Sequence, residues 1–289
     1  MHKAEHSYKM IALYQMAGIS KQGHYKRVAY QKKMTYLKGD LLEAALEVRK
    51  RHPRLGCRKL YKEVQPLGLG RDRSEAILLE NGFRVSRKRS YFRTTYAAKH
   101  WYPNRIHGLE VKDINQLWVS DITYLPLSYM KRFYLTLVMD VYSRRIVGWS
   151  LSKTMRARDT VLPAYVMGIK RLSRTACKGL IFHSDKGGQY KSNELEALHQ
   201  QYGVLPSMGG KAWENAHAES VNGILKNEYI NLEGRQVNYS QAYKLVEGVI
   251  EKYNVERPHG SINKFKPVEF ESYIKQLNMN QKPKVVINY

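Results

Sequence analysis

Between residues 117 and 151 the chain holds three β-rich runs separated by short turns, and this stretch constrains the fold more than any other. The runs cover 117–125, 133–140 and 146–151. Consecutive strands with short connections form an antiparallel meander. Two further apolar runs, at 179–184 and 204–207, alternate with helical segments. We therefore expect an α/β domain with a mixed five-stranded sheet and flanking helices.

Helical periodicity accounts for most of the remaining chain after residue 150. Pro163 has to lie in the first turn of its helix or kink it, because proline lacks an amide hydrogen and disrupts a helix interior. The expected helices of this part cover 157–173, 192–202, 214–228, 240–254 and a last one ending near 277.

The first third of the chain is expected to be helical and basic. Gly18 suits a tight turn, Ser20 is a suitable cap for a following helix with basic residues, and 38–50 has a broad apolar face. Two short helices near 54–64 and 74–81 flank a turn that contains glycines. This arrangement favours a helix-turn-helix DNA-binding domain, although any small basic helical domain has a similar pattern.

The charge of the chain points to a polyanionic partner. There are 49 lysines and arginines against 25 acidic residues, a net charge of +24, and the first hundred residues hold 23 of the basic and eight of the acidic side chains. Nucleic acid neutralises such an excess best, and an anionic membrane is the second choice. No apolar run approaches the length of a membrane span, and the first residues lack the apolar stretch of a signal peptide. We expect a cytoplasmic, DNA-associated protein without membrane contact.

The two cysteines exclude one class of small protein. Cys57 and Cys177 lie far apart, without a neighbouring cysteine or a paired histidine. This excludes a disulfide scaffold and argues against a zinc site built from cysteine and histidine.

A basic, aromatic segment joins the two parts of the chain. Residues 87–105 contain six bases and no acid, beginning with Arg87, Lys88 and Arg89, and five aromatic residues lie among them. Bases neutralise the phosphate backbone and aromatic rings stack on bases, so we interpret the segment as a DNA-contacting linker. A solvated linker between domains is the alternative.

Three acidic residues lie where a carboxylate is costly or well placed. Asp121 is in the middle of an apolar strand, Asp185 ends another, and Glu219 shares a helical face with Asn215 and Asn222. Three converging carboxylates suit Mg²⁺, and a pair of such ions activates a nucleophile and stabilises the leaving oxygen of an in-line displacement. Taken singly, a strand-end aspartate usually caps a turn and a helical glutamate is usually solvated.

Several longer motifs resemble one protein family. Residues 115–124, 183–190 and 207–228 resemble the three catalytic segments of insertion-sequence transposases with a retroviral-integrase-like core. Residues 253–261 look like the segment that closes this core, and 52–82 resembles the helix-turn-helix segment that precedes it. The resemblance runs from about Gly18 to Phe270, and it is closest to the OrfB-type, second-reading-frame product of a two-frame insertion sequence.

The resemblance implies roles for individual residues. It makes Asp121, Asp185 and Glu219 the metal-binding catalytic triad of an RNase H-like fold, with Glu214 as the fallback acid. Asp185 and Glu219 are separated by 33 residues, two fewer than is common in the family. Asp140 is then a supporting acid, and His183 either supports Asp185, contacts the scissile phosphate or is simply packed. The expected DNA contacts are Lys226, Asn222, Arg58, Lys59, Arg87, Lys88 and Arg89.

The family further implies domains, a cofactor and partners. The domains are a basic helical segment at 1–50, a helix-turn-helix at 51–86, the linker at 87–111, an integrase-type catalytic domain at 112–275 and a tail at 276–289. Two Mg²⁺ ions, for which Mn²⁺ substitutes, serve to nick the element's end with water and then join the freed 3′-hydroxyl to target DNA. The expected partners are double-stranded DNA (terminal inverted repeats and target), an upstream-frame product fused or associated, and further copies of the chain on DNA.

Three other functions fit the sequence less well than this one. None of the 22 tyrosines lies within the arginine and histidine spacing of a tyrosine recombinase, and a retroviral integrase proper has a zinc module that this sequence lacks. The third is a DNA-binding regulator without catalysis, either domesticated or defective. Inverted repeats and an overlapping upstream frame around the gene favour the mobile element over the regulator.

Overall fold

The chain divides into two compact units, Met1–Ser86 and Arg87–Tyr289. A computed structural model describes residues 10–85, 102–126, 132–230 and 237–288. Arg87, Lys88 and Arg89, together with most of the expected linker, lie outside the described residues. Within the described part, no helix is both long and apolar enough to cross a membrane.

The first unit is a helical bundle with one long helix. Its helices are α1 (Met10–Met16), α2 (Lys21–Arg51), α3 (Cys57–Val64) and α4 (Arg71–Glu80). The Ser20 hydroxyl caps α2 by accepting a hydrogen bond from the Gly23 amide at 2.9 Å. The apolar face expected over 38–50 is the second half of α2. There Leu41 packs with Leu60 of α3 and Leu78 of α4, all three fully buried.

A five-stranded mixed sheet forms the centre of the second unit, as the sequence predicts. Its strands are β2 (Leu117–Pro126), β3 (Arg132–Asp140), β4 (Ile146–Ser152), β5 (Ile181–Ser184) and β6 (Leu205–Met208), after a short β1 (Glu110–Val111). The spatial order is β4-β3-β2-β5-β6. The first three strands form the antiparallel meander, while β5 lies parallel to both β2 and β6.

Successive side chains of the sheet strands pack into two separate apolar cores, one on each face of the sheet. On β2, Leu117 and Val119 belong to one core, whereas Trp118 belongs to the other. The Trp118 core includes residues of α5 (Val161–Ile169), α6 (Arg174–Cys177) and α7 (Asn193–Tyr202). The opposite core includes residues of α8 (Ala216–Ile224), α9 (Tyr239–Val255) and α10 (Pro267–Ile274). The result is a three-layer RNase H-like fold.

The backbone of α5 approaches β4 very closely at Gly148. A Cβ atom on this residue would lie 2.0 Å from the Ala164 carbonyl oxygen, and only glycine leaves room for that contact. Pro163 lies in the first turn of α5, where its missing amide hydrogen costs no helical hydrogen bond.

A two-stranded sheet joins the two ends of the second unit. β1 pairs antiparallel with β7 (Val285–Val286), which lies within the segment that the sequence suggested to be a tail. Next to this pair, Ile287 is 1% exposed and packs in the same core as Ile106 and Val111. Ile287, near the end of the described residues, is therefore part of the apolar core.

Candidate active site

The sheet register brings Asp121 and Asp185 to neighbouring positions. Ser120 of β2 is the parallel partner of Ser184, the last residue of β5. Asp121 and Asp185 each follow by one residue, so both lie at the carboxyl-end side of the β2–β5 pair. Glu219 comes from α8, a helix that packs on β2. Three separate elements thus supply the three carboxylates that the sequence singled out.

The electrostatics of the three acids show that they share one region. Burial, and next the charge of Asp185, raise the pKa of Asp121 to about 7, and Glu219 adds to the rise. Burial and the charge of Asp185 also raise the pKa of Glu219. The pKa of Asp185 itself is raised by burial. Like charges held this close disfavour one another's ionisation, and a bound cation relieves that repulsion.

Two hydrogen bonds hold the aspartates in place. Asn222 Nδ2 donates to Asp121 Oδ2 at 2.7 Å, and this bond acts to lower the pKa of Asp121 against the effect of burial. The Gly187 amide donates to Asp185 Oδ1 at 3.0 Å. Asp121 is therefore oriented by a residue of the third motif, 207–228, and Asp185 by a residue of the second motif, 183–190.

The donor set fits a hard divalent cation. All three acids offer oxygen ligands, and the buried Asn222 Oδ1, on the side chain that bonds Asp121, has no hydrogen-bond partner within the described structure. In the described ranges, no three aspartate, glutamate, histidine or cysteine side chains are arranged so that they could hold a metal ion without a change in conformation. Glu219, on α8, is more exposed than either aspartate.

Lys226 approaches the acids from a π-helical turn. The expected helix over 214–228 is interrupted, because α8 passes into a π-helical turn at Leu225–Tyr229. The Lys226 Nζ atom lies 5.3 Å from the centre of the Tyr124 ring. Burial lowers the pKa of Lys226, and the charge of Asp121 opposes this effect. The lysine is thus close enough to sense the acid cluster.

Glu214 and His183 have structural partners. The Glu214 carboxylate accepts hydrogen bonds from the amides of Gly210 and Lys211 and so caps the turn at Ala212–Asn215. Burial raises the pKa of Glu214, but these amide bonds outweigh it and leave the pKa below its usual value. His183 is fully buried between the Ser207 hydroxyl and the Glu214 carbonyl, and burial lowers its pKa to about 4. The imidazole is therefore a packed, neutral group.

Asp140 stabilises a turn at the start of β2 rather than the acid cluster. It pairs in register with Trp118, three residues before Asp121. Its Oδ1 accepts from the Ser143 amide at 2.7 Å, and its Oδ2 accepts from the Asn115 amide at 2.6 Å. The positive φ of Asn115, 61°, is held by this contact.

Ser120 and Tyr190, which lie within the first and second of the segments that resemble catalytic motifs, support the site. The Tyr190 hydroxyl lies 3.0 Å from Ser120 Oγ, and both side chains are buried. Asn215 Nδ2 donates to the Ser120 carbonyl at 3.0 Å. Ser120 thereby connects the segment that follows Asp185 with the segment that precedes α8. Only the register between β2 and β5 reveals this role.

Two of the remaining expected DNA contacts, Arg58 and Lys59, lie in the first unit. Arg58 is exposed on α3, and its Nε atom donates to both Glu75 oxygens, at 2.9 and 3.2 Å. Lys59 is its half-buried neighbour. In the second unit, Asn222 is largely buried and already bonded to Asp121.

Comparisons with known proteins agree with this architecture. The integrase core domain matches residues 112–212, and a second integrase core domain model matches residues 203–267. A chain of the simian T-cell lymphotropic virus intasome, solved with the PP2A regulatory subunit B56 gamma, superposes with a TM-score of 0.50 at 13% identity. That match covers 83% of this chain and 77% of the other, and it supports the fold alone.

Relatives of similar sequence come from insertion elements. The chain is 30% identical over 276 residues to an uncharacterized 31 kDa protein of insertion element IS600 from Shigella sonnei, which covers 91% of this chain and 98% of that protein. It is also 30% identical over 213 residues to transposase InsF for insertion sequence IS3A from Escherichia coli strain K12, covering 68% and 69% respectively. The chain therefore belongs to the insertion-sequence transposases with an integrase core domain.

Proposed function

We propose that Asp121, Asp185 and Glu219 form the catalytic centre of a DNA transposase that cleaves an element's ends and joins them to target DNA. One observation carries the proposal. Three carboxylates from β2, the end of β5 and α8 lie within one another's electrostatic field, and the pKa of each is raised. Perturbed carboxylates grouped in one region are typical of functional sites.

These three acids are the residues that would hold Mg²⁺, or Mn²⁺ in its place, as a pair of ions. When bound, such ions supply Lewis-acid activation of the attacking oxygen and stabilisation of the leaving oxygen in an in-line displacement at phosphorus. The side chain of Asn222 keeps Asp121 oriented, because its amide nitrogen donates to one carboxylate oxygen. Tyr190 and Asn215 support the neighbouring Ser120.

Lys226 is the proposed contact to the reacting DNA end. Its ammonium group comes from the same helical segment as Glu219 and senses the charge of Asp121. A cation beside an acidic cluster holds a phosphate that the carboxylates alone would repel. Replacing Lys226 with alanine is expected to weaken binding to the element's end while leaving the metal requirement unchanged.

The first unit is the proposed source of general DNA affinity. Arg58, Lys59 and the exposed lysines of α2, among them Lys26 and Lys33, belong to the most basic part of the chain. Further copies of the chain, and an upstream-frame product fused or associated with it, are the proposed partners on DNA.

The deciding test is a cleavage and strand-transfer assay on end-labelled duplexes from the DNA that flanks the gene. Mg²⁺ is compared with EDTA, and the wild type with Glu219→Gln. The matched control is Glu251→Gln, which removes an exposed glutamate from a helix distant in sequence, α9. Metal-dependent nicking at one position, lost in Glu219→Gln and kept in Glu251→Gln, supports the proposal.

Binding without nicking in the wild type favours the regulator, unless adding the fused upstream frame restores cleavage. Asp185→Asn gives a second readout, since a catalytic acid can be removed without loss of DNA affinity. If Asp185→Asn lowers cleavage and DNA affinity by the same factor, a catalytic role for this acid is contradicted.

A further inference from the structure

Trp213 is an exposed tryptophan on a short turn beside the acid cluster. The turn is a 3-10 helix at Ala212–Asn215, and the Trp213 side chain is 57% exposed. The other tryptophans of the described residues, Trp118 and Trp149, are 0% and 8% exposed and lie in apolar cores. Exposed apolar side chains are common on protein surfaces, so exposure alone does not mark Trp213 as a binding residue, whereas its position beside the acid cluster does.

Both residues that follow Trp213 are fastened to the sheet next to the proposed catalytic aspartates. The Glu214 carbonyl accepts from His183 Nε2 at 3.0 Å, and His183 is two residues before Asp185. Asn215 Nδ2 donates to the carbonyl of Ser120, which directly precedes Asp121. The Glu214 carboxylate, in turn, holds the amides that precede Trp213. The indole therefore projects from a backbone that is fixed on both sides.

Two lysines accompany the ring. Lys211 Nζ lies 4.8 Å from the centre of the Trp213 ring, in a cation–π contact. Lys186, which directly follows Asp185, approaches the same loop, since a Cβ atom on Gly210 would lie 3.2 Å from its Nζ. An exposed aromatic face with ammonium groups beside it is the combination that binds unpaired nucleotides, through stacking and phosphate neutralisation.

We propose that the Trp213 indole stacks on an unpaired base of the DNA next to the reacting phosphate, while Lys211 neutralises the adjoining backbone. This inference rests on the proposed function, because it places DNA at the acid cluster. A base inside a duplex has to be flipped out before a ring can stack on it, whereas a base at a frayed or overhanging end offers its face at little cost. The preferred substrate is therefore DNA with an unpaired end.

The test measures binding rather than catalysis. The full chain is titrated in EDTA with two probes from the flanking DNA: a blunt duplex, and the same duplex with a short 5′ overhang that carries a fluorescent adenine analogue. Trp213→Ala and Trp213→Phe are compared with the wild type. Tyr273→Ala is the matched control, because it removes another exposed aromatic side chain of the second unit, 42% exposed on α10.

Stacking predicts that the wild type prefers the overhang probe and quenches its analogue. In Trp213→Ala that preference falls by about tenfold, while Trp213→Phe keeps part of it and Tyr273→Ala keeps all of it. The proposal is overturned if the wild type binds both probes equally, if Trp213→Ala behaves as the wild type, or if Trp213→Ala weakens both probes by the same factor. Mg²⁺-dependent nicking by the same wild-type preparation is scored in parallel. Nicking without an overhang preference refutes the stacking alone, whereas the absence of both, with the fused upstream frame added, refutes the proposed function as well.

Discussion

The raised pKa of Asp121 makes the stability of the metal-free protein depend on pH. The carboxyl pKa is about 7 in the folded chain against 3.8 for an unperturbed aspartate. Between these two values the folded state binds more protons than the unfolded state, so the free energy of unfolding falls as the pH rises. Each pH unit costs up to about 1.4 kcal/mol, and the slope flattens as the carboxyl ionises near its pKa, which gives about 2 kcal/mol between pH 5 and pH 7.

The variant Asp121→Asn lacks the titrating carboxyl, so its free energy of unfolding is expected to change less with pH. The measurement is urea unfolding in EDTA at pH 5 and pH 8, followed by tryptophan fluorescence. All four tryptophans lie after residue 100, so the signal reports the second unit. The wild type is expected to lose about 2 kcal/mol more than Asp121→Asn across this range. Glu251→Gln serves as the control for loss of one negative charge.

Addition of Mg²⁺ gives the complementary readout. A ligand that binds only the folded state stabilises it, and ionised carboxylates bind the cation better than protonated ones. Mg²⁺ is therefore expected to stabilise the wild type more at pH 8 than at pH 5, with a smaller gain in Asp121→Asn. If the pH profiles of the wild type and Asp121→Asn coincide, the electrostatic description of the acid cluster is refuted.

Three further variants test other parts of the structure. Asn222→Ala removes a hydrogen bond that lowers the pKa of Asp121, so the midpoint of the pH profile of metal-dependent nicking should move to higher pH; an unchanged midpoint contradicts this role. Gly148→Ala places a Cβ atom against helix backbone and is expected to cost about 3 kcal/mol in urea unfolding, whereas a loss comparable to an open site such as Gly260 argues against the close packing. Replacing Lys26 and Lys33 together with glutamine is expected to reduce the slope of log affinity against log salt by about 2, and an unchanged slope shows that the phosphate contacts lie elsewhere.

Sequence patterns were sufficient to predict the sheet because the strands carry their own signal. The meander and the strand that precedes Asp185 consist of β-branched and aromatic residues between short turns, and they appear in the structure near their predicted bounds. The length of α2 was not predictable in the same way. The first half of α2 is mostly exposed and contains tyrosines and lysines rather than a stripe of apolar residues at helical spacing. Only the second half, which packs on α3 and α4, has the apolar periodicity that predicts a helix.

The contacts around the candidate site depend on how distant segments align. Asp121 and Asp185 could be chosen from their positions on apolar strands, yet their proximity follows from the pairing of Ser120 with Ser184. The roles of Tyr190 and Ser120 follow from the same pairing and have no local signature. The π-helical turn that carries Lys226 could not be predicted either, because helical periodicity assumes regular α-helical turns. The assignment of the acids to catalysis stays a prediction until the variants are measured.

The short β1–β7 pair has a consequence for synthesis of the chain on the ribosome. Glu110 and Val286 face one another in this pair, although most of the second unit separates them in sequence. Ile106 and Val111 are fully buried, and Ile287 lies in the same core. A nascent chain can complete this corner only after residue 287 has emerged, and contacts so distant in sequence form slowly. A product that stops before β7 would still carry all three candidate acids, but Ile106 and Val111 would lose Ile287 as a neighbour in the core.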